Sequence, residues 1–413
     1  MLARALGSPF GNLTIRRKLF LIAMVAAVPT AILLFVVLTG QSADLNAAQQ
    51  ERQGAEFITR AQKLLRDVQL HRDQASALLA GDQSFAPQLQ ASAAAVDGDL
   101  KDLAAVDKKY GGRFHTHDDV NGLRRTWDAI NVGTPTGSQQ DSFTQHTQMI
   151  TGLKGIIPLI YQVGNASGLL RDPKAASNHI AAALVNNVPQ TSEALSEGRA
   201  YGAAILAGAA AHTRTLALAG NEHDFLVNEI GQVQSTSDLT TRELDAAVSA
   251  DPAQRAAFSD KISNADAMTK QFIAVSQNLL LNGTNLDPSI QPYFGPASDA
   301  IAATFALSDT SASTLHKLLE SRVNQANTVR IFSFAVAASG ISLVTLLILF
   351  VVLSITGRIA RLVAIADRVS LGDLNAEVDI QGNDELGELA QSFERMQSSL
   401  QAAIDRLRTR RAS

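Results

Sequence analysis

The amino-acid sequence predicts an all-α membrane protein: two transmembrane helices, an extracytoplasmic domain of tandem four-helix bundles, and a cytoplasmic parallel four-helix coiled coil formed by a dimer. Two long stretches, residues 19–39 and 331–357, contain no charged residue. Between and after them, apolar residues recur at helical spacing, without the alternation typical of strands. Hydrophobic residues make up 46 % of the chain but aromatic residues only 5 %, a balance that favours tight, alanine-rich helical packing.

Both uncharged stretches are long enough to cross a membrane. At about 1.5 Å of rise per residue, about 20 helical residues span a hydrocarbon core of about 30 Å. The first stretch is longer than the apolar part of a cleaved signal peptide, which is about 7 to 15 residues. We therefore interpret it as an uncleaved anchor.

Basic residues near the span ends predict the orientation. Arg16, Arg17 and Lys18 precede the first span, and Arg358 and Arg361 follow the second. Since Lys and Arg concentrate in cytoplasmic segments, both termini are expected to be cytoplasmic. The chain would then be a multi-pass protein of a bacterial inner (cell) membrane, with the segment between the spans in the periplasm.

Composition excludes several classes of function. The chain has no cysteine, so disulfides, thiolate nucleophiles and Cys-ligated metals are excluded. A net charge of -4 argues against a nucleic-acid partner. No phosphate loop, HExxH or G-x-S-x-G motif is present, and His115-x-His117 is more typical of a solvated loop than of a metal site. We expect no enzyme activity, no cofactor and no metal.

The segment after the second span has the heptad spacing of a coiled coil. Its second half carries apolar residues at alternating steps of three and four, namely Leu386, Leu389, Phe393, Met396, Leu400, Ala403 and Leu407. Its first half shows the same alternation at Ile359, Leu362, Ala366 and Val369. Neither helix can bury such a stripe alone, so a homodimer is expected.

The connector between these two helices contains residues that are typical of helix ends. Gly372 is placed to terminate the first helix, and Leu374 to pack back on the apolar seam. Asp384 is placed as the N-cap of the second helix, where Asp384 and Glu385 also favour the helix N-terminus electrostatically. Gly387 occupies the third helical position.

These motifs resemble a known module. GDL at 372–374, DELGEL at 384–389 and F-x-x-M-x-x-x-L from Phe393, directly after a transmembrane helix, are similar to HAMP, the signal-relay module of bacterial histidine kinases and chemoreceptors. Members often have a proline in the first turn, where this chain has Ile359-Ala360-Arg361. The alternative, an amphipathic helix on the lipid surface, leaves the paired seams unexplained.

The segment between the spans is predicted to be helical and to contain an internal sequence repeat. RDQASALLAG at 72–81 and RAYGAAILAG at 199–208 share Arg, Ala, Leu, Ala and Gly at equal spacing, which predicts two bundle modules with a boundary near 173–189. Glycine and proline predict roughly eight or nine helical segments. The breaks are expected near Gly81-Asp82, Gly111-Gly112, 133–137, Asp172-Pro173, Pro189, Asp251-Pro252 and 282–296.

A second resemblance rests on the first of these repeats. VQLHRDQASALLAGD, residues 68–82, is similar to the first helix of nitrate- and nitrite-sensing domains and related two-module chemoreceptor ectodomains, in which an arginine among small residues marks the ligand region. The family tends to show a glycine after its charged residues, where this chain has Asp73-Gln74. The resemblance implies an anion-binding role for Arg72 and Arg199.

Two interpretations of the arginines and of the chain stay open. Each arginine could bind an anion bidentately, or could instead pair with a carboxylate such as Glu193 or Glu197. The chain is expected to be a dimeric sensor of a small solute, with an anion as candidate, or of a periplasmic protein. The alternative is a structural or assembly subunit of a membrane complex. Since the chain ends soon after the last heptad, we expect the effector to be a separate, unidentified cytoplasmic partner or to be missing.

The predicted organisation has six parts. They are a cytoplasmic N-terminal segment (1–18), transmembrane helix 1 (19–40), an extracytoplasmic helical sensor domain (41–330), transmembrane helix 2 (331–356), a HAMP domain (357–408) and a tail (409–413).

Overall fold

The computed structural model describes residues 15–131, 137–211, 218, 220–282, 290–380, 382 and 384–412. Within these ranges every regular element is helical and no strand occurs. The predicted all-α fold class is confirmed.

The chain divides into two compact units. We call Ala43–Asn327 the large unit, and Met1–Ser42 together with Thr328–Ser413 the terminal unit. The α-helices are α1 Ile15–Leu79, α2 Ala86–Phe114, α3 His117–Ile130, α4 Gln139–Thr151, α5 Ile156–Ser167, α6 Ala175–Ala182, α7 Val188–Ala210, α8 Gly220–Ala250, α9 Arg255–Ser276, α10 Gln291–Ser370 and α11 Glu385–Ala412. Short 3₁₀ turns precede α2, α6 and α9, and π-helical segments cover Ala183–Asn187 and Gln277–Leu281.

Helix α1 ends where the sequence predicts a break. Gly81 adopts a φ of 123°, a conformation that favours glycine. Asp82 then caps the next turn, because its Oδ1 accepts a hydrogen bond from the Ser84 amide at 3.0 Å. The break predicted near Gly111-Gly112 comes slightly later, at His115, whose φ of 57° is left-handed.

The helix break predicted at Pro189 is absent, because the helical conformation continues through this residue. It lies in the first turn of α7, directly after a π-helical segment, where the absent amide is not needed by the helix. Helix α10 likewise runs through Pro296. Two other predicted breaks fall partly outside the described residues, at 132–136 and 283–289.

Two hydrophobic cores fill the large unit. One contains the fully buried Phe57 and Trp127, and the other contains Phe272 and Tyr293. Helix α1 contributes Ala55 to Val68 to the first core and Ala75 to Leu78 to the second. Polar residues 71–73 of α1 therefore lie between the two cores. Because each core contains residues from before and after 173–189, the module boundary there stays a prediction.

Helices α1 and α10 each contain a stretch long and apolar enough to cross a membrane. Within α10, large apolar side chains such as Phe332, Leu346 and Phe350 are more than 60 % exposed. Contiguous exposed apolar surface of this kind is typical of lipid contact. The described residues thus contain the two candidate membrane helices that the sequence predicts.

Candidate functional site

Arg72 on α1 and Arg199 on α7 meet at one carboxylate. Asp73 Oδ2 accepts a hydrogen bond from Arg199 Nε at 2.7 Å and lies 2.6 Å from its Nη2. Asp73 Oδ1 lies 3.3 Å from Arg72 Nε. Arg72 and Asp73 are fully buried, and Arg199 is only 3 % exposed. The two arginines of the internal sequence repeat therefore belong to one buried site. We call this site the arginine cluster (Arg72, Asp73, Glu193, Ser196 and Arg199).

Helical spacing positions the α7 side of this cluster. Glu193, Ser196 and Arg199 follow one another at intervals of three, so they share one face of the helix. The Ser196 hydroxyl accepts from Arg72 Nη2 at 2.8 Å and approaches Asp73 Oδ2 to 2.8 Å as a donor. Small residues let α7 approach its neighbours closely, since a Cβ on Gly202 would overlap the Tyr293 ring.

Glu193 is the second carboxylate on Arg72. Its Oε1 accepts from Arg72 Nη1 at 2.6 Å and its Oε2 from Nη2 at 3.3 Å. Gln69 Nε2 also donates to Glu193 Oε2, at 2.8 Å, while Glu197 Oε1 stands off at 3.7 Å from Arg72 Nη1. The pairing with acidic residues that the sequence leaves open is therefore present in the structure.

Helix α4 covers Arg72 from the other side. Arg72 Nη1 donates to Thr147 Oγ1 at 3.0 Å. The Phe143 ring lies over the guanidinium, with its centroid 5.0 Å from Cζ, a distance at which cation–π attraction operates. Arg72 thus combines a carboxylate, a hydroxyl and an aromatic face.

Arg199 has a similar environment on α10. Its Nη1 donates to Ser298 Oγ at 3.0 Å, and the Phe294 ring centroid lies 4.9 Å from its Cζ. The neighbouring Tyr293 hydroxyl donates to the carbonyl oxygen of Gly198 at 2.7 Å. These contacts connect α7 to α10 beside the cluster.

Two further glutamates lie near Glu193. Burial and the charge of Glu193 raise the pKa of Glu197 to about 8 and that of Glu229 to about 7. Glu229 is 4 % exposed, and its Oε2 has no hydrogen-bond partner among the described residues. Near neutral pH this side of the cluster therefore favours protonated carboxyl groups.

The histidines next to the cluster are neutral. The rings of His71 and His146 lie 5.3 Å apart, and burial lowers the pKa of His71 to about 3 and that of His146 to about 4. Elsewhere, His117 Nδ1 pairs with Asp107 Oδ2 at 2.6 Å. In the part of the chain that the structure describes, no group of three or more His, Asp or Glu side chains is arranged to hold a metal ion.

The connector and helix cap between α10 and α11 have defined geometry. Gly372 follows α10 with a φ of 97°, which favours glycine. Asp384 Oδ1 accepts a hydrogen bond from the Gly387 amide at 3.0 Å, directly before α11 and its first residue Glu385. A Cβ on Gly387 would overlap the carbonyl oxygen of Gly382, so a glycine is needed there.

Part of the predicted apolar seam is exposed in the single chain, and the side chain of Leu407 lies outside the described residues. Leu362, Ile380 and Ala390 form a small buried core. Leu389, Met396 and Leu400 are 55 %, 47 % and 43 % exposed. Intermediate burial is found at Ile359, Ala366, Val369, Leu374 and Phe393.

Comparison with known families identifies the large unit. The family model described as nitrate and nitrite sensing matches residues 63–330, about two thirds of the chain. The chain belongs to the nitrate and nitrite sensing family. The match contains the whole arginine cluster, and the resemblance predicted from residues 68–82 is confirmed.

A second family model, the HAMP domain, matches residues 350–402 of this member of the nitrate and nitrite sensing family. The HAMP resemblance predicted from the GDL and DELGEL motifs is thereby confirmed. Among curated proteins, the methyl-accepting chemotaxis proteins McpA and TlpA of Bacillus subtilis (strain 168) are each 41 % identical, over 69 and 75 residues. These matches cover 17 % and 18 % of this chain but only 10 % and 11 % of the relatives.

One solved structure is similar over most of its length. It is the structure of the NasR transcription antiterminator, with 14 % sequence identity and a TM-score of 0.49 over 88 % of this chain and 94 % of that one. A similarity at this level supports no inference about this member of the family.

Several residues of the site are absent from the sequence-based prediction. In the sequence Asp73 stands out only as a departure from the family pattern, yet it joins the two arginines. Gln69 and Thr147 also bind within the cluster. The available signal was the run of polar residues at intervals of three in alanine-rich α7, because buried polar side chains need partners on facing helices.

Proposed function

We propose that this member of the nitrate and nitrite sensing family is a transmembrane receptor for a small planar oxyanion, nitrate or nitrite, which binds at the arginine cluster. The supporting observation is the meeting of two buried guanidiniums, Arg72 and Arg199, at one carboxylate between two hydrophobic cores. A guanidinium binds a planar oxyanion through two parallel N–H donors, and burial strengthens these bonds.

The arginine cluster contacts the helix that contains the second candidate membrane stretch, which suits transmission of a signal along that helix. Ser298, which accepts from Arg199, and the second candidate membrane stretch belong to the same helix, α10. A change in the hydrogen bonds of Arg199 would act on that helix. For a signal to pass, the anion must bind two arrangements of α10 with different affinity.

The output passes through the HAMP domain of a homodimer to a cytoplasmic effector. The exposed seam of Leu389, Met396 and Leu400 supports dimerisation, because three large apolar residues at heptad spacing are buried when two such helices pair. The basic residues that flank both spans support cytoplasmic termini and a periplasmic large unit.

Thermal unfolding of the full chain in lipid nanodiscs tests the ligand. Sodium nitrate or nitrite should raise the melting temperature saturably, because a ligand that binds only the folded state stabilises it. Arg72→Lys and Arg199→Lys keep the charge but lose bidentate geometry, and should abolish the shift. Arg60→Lys, at an arginine whose side chain is 47 % exposed, is the matched control.

The results separate the alternatives. A shift in the wild type and in Arg60→Lys that disappears in both cluster variants supports the proposal. An unchanged shift in Arg72→Lys and Arg199→Lys would remove the anion from this cluster. No shift with either salt in the wild type would favour an assembly subunit or a protein ligand.

A further inference from the structure

We infer that Glu193 couples ligand binding to proton uptake: a monovalent anion replaces its carboxylate on Arg72, and the displaced carboxylate takes up one proton. This inference rests on the proposed function, because it describes how the anion enters the same cluster. It assigns Glu193 a role as the residue that exchanges with the ligand and binds the proton, distinct from the structural role of Asp73.

Glu193 occupies the position that an oxyanion would take. Its two oxygens accept from Arg72 Nη1 and Nη2, at 2.6 and 3.3 Å, in a fork arrangement. The Thr147 and Ser196 hydroxyls lie 3.0 and 2.8 Å from the same two nitrogens. A planar anion that binds this edge of the guanidinium must therefore displace the Glu193 carboxylate.

Asp73 is not displaced in the same way. It contacts Arg72 through Nε, away from the Nη edge, and it also holds Arg199 Nε and Nη2. Removing it would break contacts to both guanidiniums. Of the two carboxylates, Glu193 has fewer arginine partners and is the one that can leave.

Among the residues that the structure describes, the surroundings of Glu193 offer the displaced carboxylate no free cation. The titratable and charged groups around the cluster are His71, Arg72 and Asp73 on α1, His146 on α4, Glu197 and Arg199 on α7, Glu229 on α8 and Tyr293 on α10. The two histidines are buried and neutral. The two arginines are occupied by the anion and by Asp73.

Glu193 also lies close to two other acids, Glu197 and Glu229. Its charge raises the pKa of Glu197 and of Glu229. Three carboxyl groups that lie together in a buried site cannot all be ionised. A Glu193 carboxylate released from Arg72 therefore binds a proton from solvent and becomes a neutral acid.

This exchange conserves charge only for a monovalent anion. The two guanidiniums are balanced by Asp73 and Glu193. One monovalent anion and one proton replace the Glu193 charge and leave the balance unchanged. A divalent anion such as sulfate leaves an additional buried negative charge, which is strongly unfavourable.

Calorimetric titration of the full chain in nanodiscs tests the inference. Sodium nitrate and sodium sulfate are titrated at pH 6, 7 and 8, in buffers of different ionisation enthalpy that report proton uptake. Uptake of one proton makes nitrate affinity fall up to about tenfold per unit rise in pH. We expect that dependence, nitrate heats that change with the buffer, and no sulfate binding.

Glu193→Gln provides the decisive variant, because the amide has the same shape and no charge to neutralise. We expect tighter nitrate binding, reduced proton uptake and, as in the wild type, no sulfate binding, because Asp73 still balances one guanidinium. Glu320→Gln, at a glutamate whose side chain is 52 % exposed, should behave as the wild type. Glu193→Asp, which keeps the charge on a shorter side chain, should bind nitrate more tightly but retain proton uptake.

The outcomes are distinguishable. Nitrate binding without proton uptake in the wild type, or equal binding of nitrate and sulfate, overturns the inference and leaves the proposed function intact. A Glu193→Gln variant with wild-type affinity and proton uptake does the same. If nitrate does not bind the wild type at all, the proposed function itself fails.

Discussion

Arg199 and Asp73 are 126 residues apart in sequence, yet Arg199 Nε donates to Asp73 Oδ2 at 2.7 Å within a fully buried contact. The same carboxylate lies 3.3 Å from Arg72 Nε. The Asp73 side chain thus joins α1 and α7, the two helices that contain the internal sequence repeat. The large unit depends on Asp73 for both charge balance and helix pairing.

Asp73→Asn should therefore destabilise the large unit strongly. Removing one partner of a buried ion pair leaves an uncompensated charge and costs about 3 to 5 kcal/mol. The free energy of unfolding can be measured by denaturant titration of the full chain in nanodiscs. Asp245→Asn, at an exposed aspartate on α8, is the control, and an equal effect in both variants would contradict the role of Asp73.

The stability of the large unit should fall as pH rises from about 6.5 to 8. Burial is the first cause that raises the pKa of Glu51 and Glu229 to about 7 and of Glu197 to about 8. Between the ordinary value of 4.5 and these values the folded state binds more protons than the unfolded state, so stability is lost through this window. The lowered pKa values of His71 and His146 act in the opposite direction only below about 6.5.

Melting temperatures at pH 6.5, 7.25 and 8 measure this slope. Glu197→Gln removes the group with the highest raised pKa and should flatten it. Glu320→Gln should not. A melting temperature that rises across this interval in the wild type would contradict the assignment of protonated carboxyl groups.

Arg322 should be another sensitive position. Its Nη1 lies 2.7 Å from both Glu51 Oε2 and Asp172 Oδ2, and both carboxylates are nearly inaccessible. Arg322→Met leaves two buried carboxylates without a cation, so we expect a loss of several kcal/mol. The loss should be larger at pH 8 than at pH 5.5, because protonation relieves the unpaired charge.

A double-mutant cycle measures this coupling. Glu51→Gln removes one of the two carboxylates and should restore part of the stability lost in Arg322→Met. Additive effects in the double variant would show that the side chains of Arg322 and Glu51 act independently.

The seam of α11 can be tested by cross-linking, since the chain has no cysteine. Met396→Cys places a thiol on the exposed apolar face, and we expect a disulfide-linked dimer on oxidation in membranes. Ser398→Cys, on the opposite side of the helix, should cross-link much less. Phe393→Asp added to Met396→Cys should prevent the cross-link, and equal cross-linking of all three variants would contradict a dimer formed along the seam.

Much of the fold could be predicted from sequence because the signals are local. The uncharged stretches around residues 19–39 and 331–357 and the heptads of α11 depend on composition and spacing alone. The Asp384 cap and the turn at Gly372 also follow from short-range chemistry. Each is found in the structure or in the family comparisons.

The arrangement of the candidate site could be predicted only in part. Both arginines carry a recognisable pattern, but their meeting depends on how α1 and α7 pair, which tertiary packing decides. The same holds for Glu193, whose facing partner Gln69 is set by that register. Pro189 shows the reverse case, since the local signal for a break is overridden by its position in the first turn of α7.

A structure of the full chain with bound nitrate tests the central claim most directly. The account predicts nitrate oxygens within about 2.7 to 3.2 Å of Arg72 Nη1 and Nη2, with the Glu193 carboxylate turned away and Asp73 still on Arg199. An intact Arg72–Glu193 pair in nitrate-saturated protein, with the anion bound elsewhere, would contradict it.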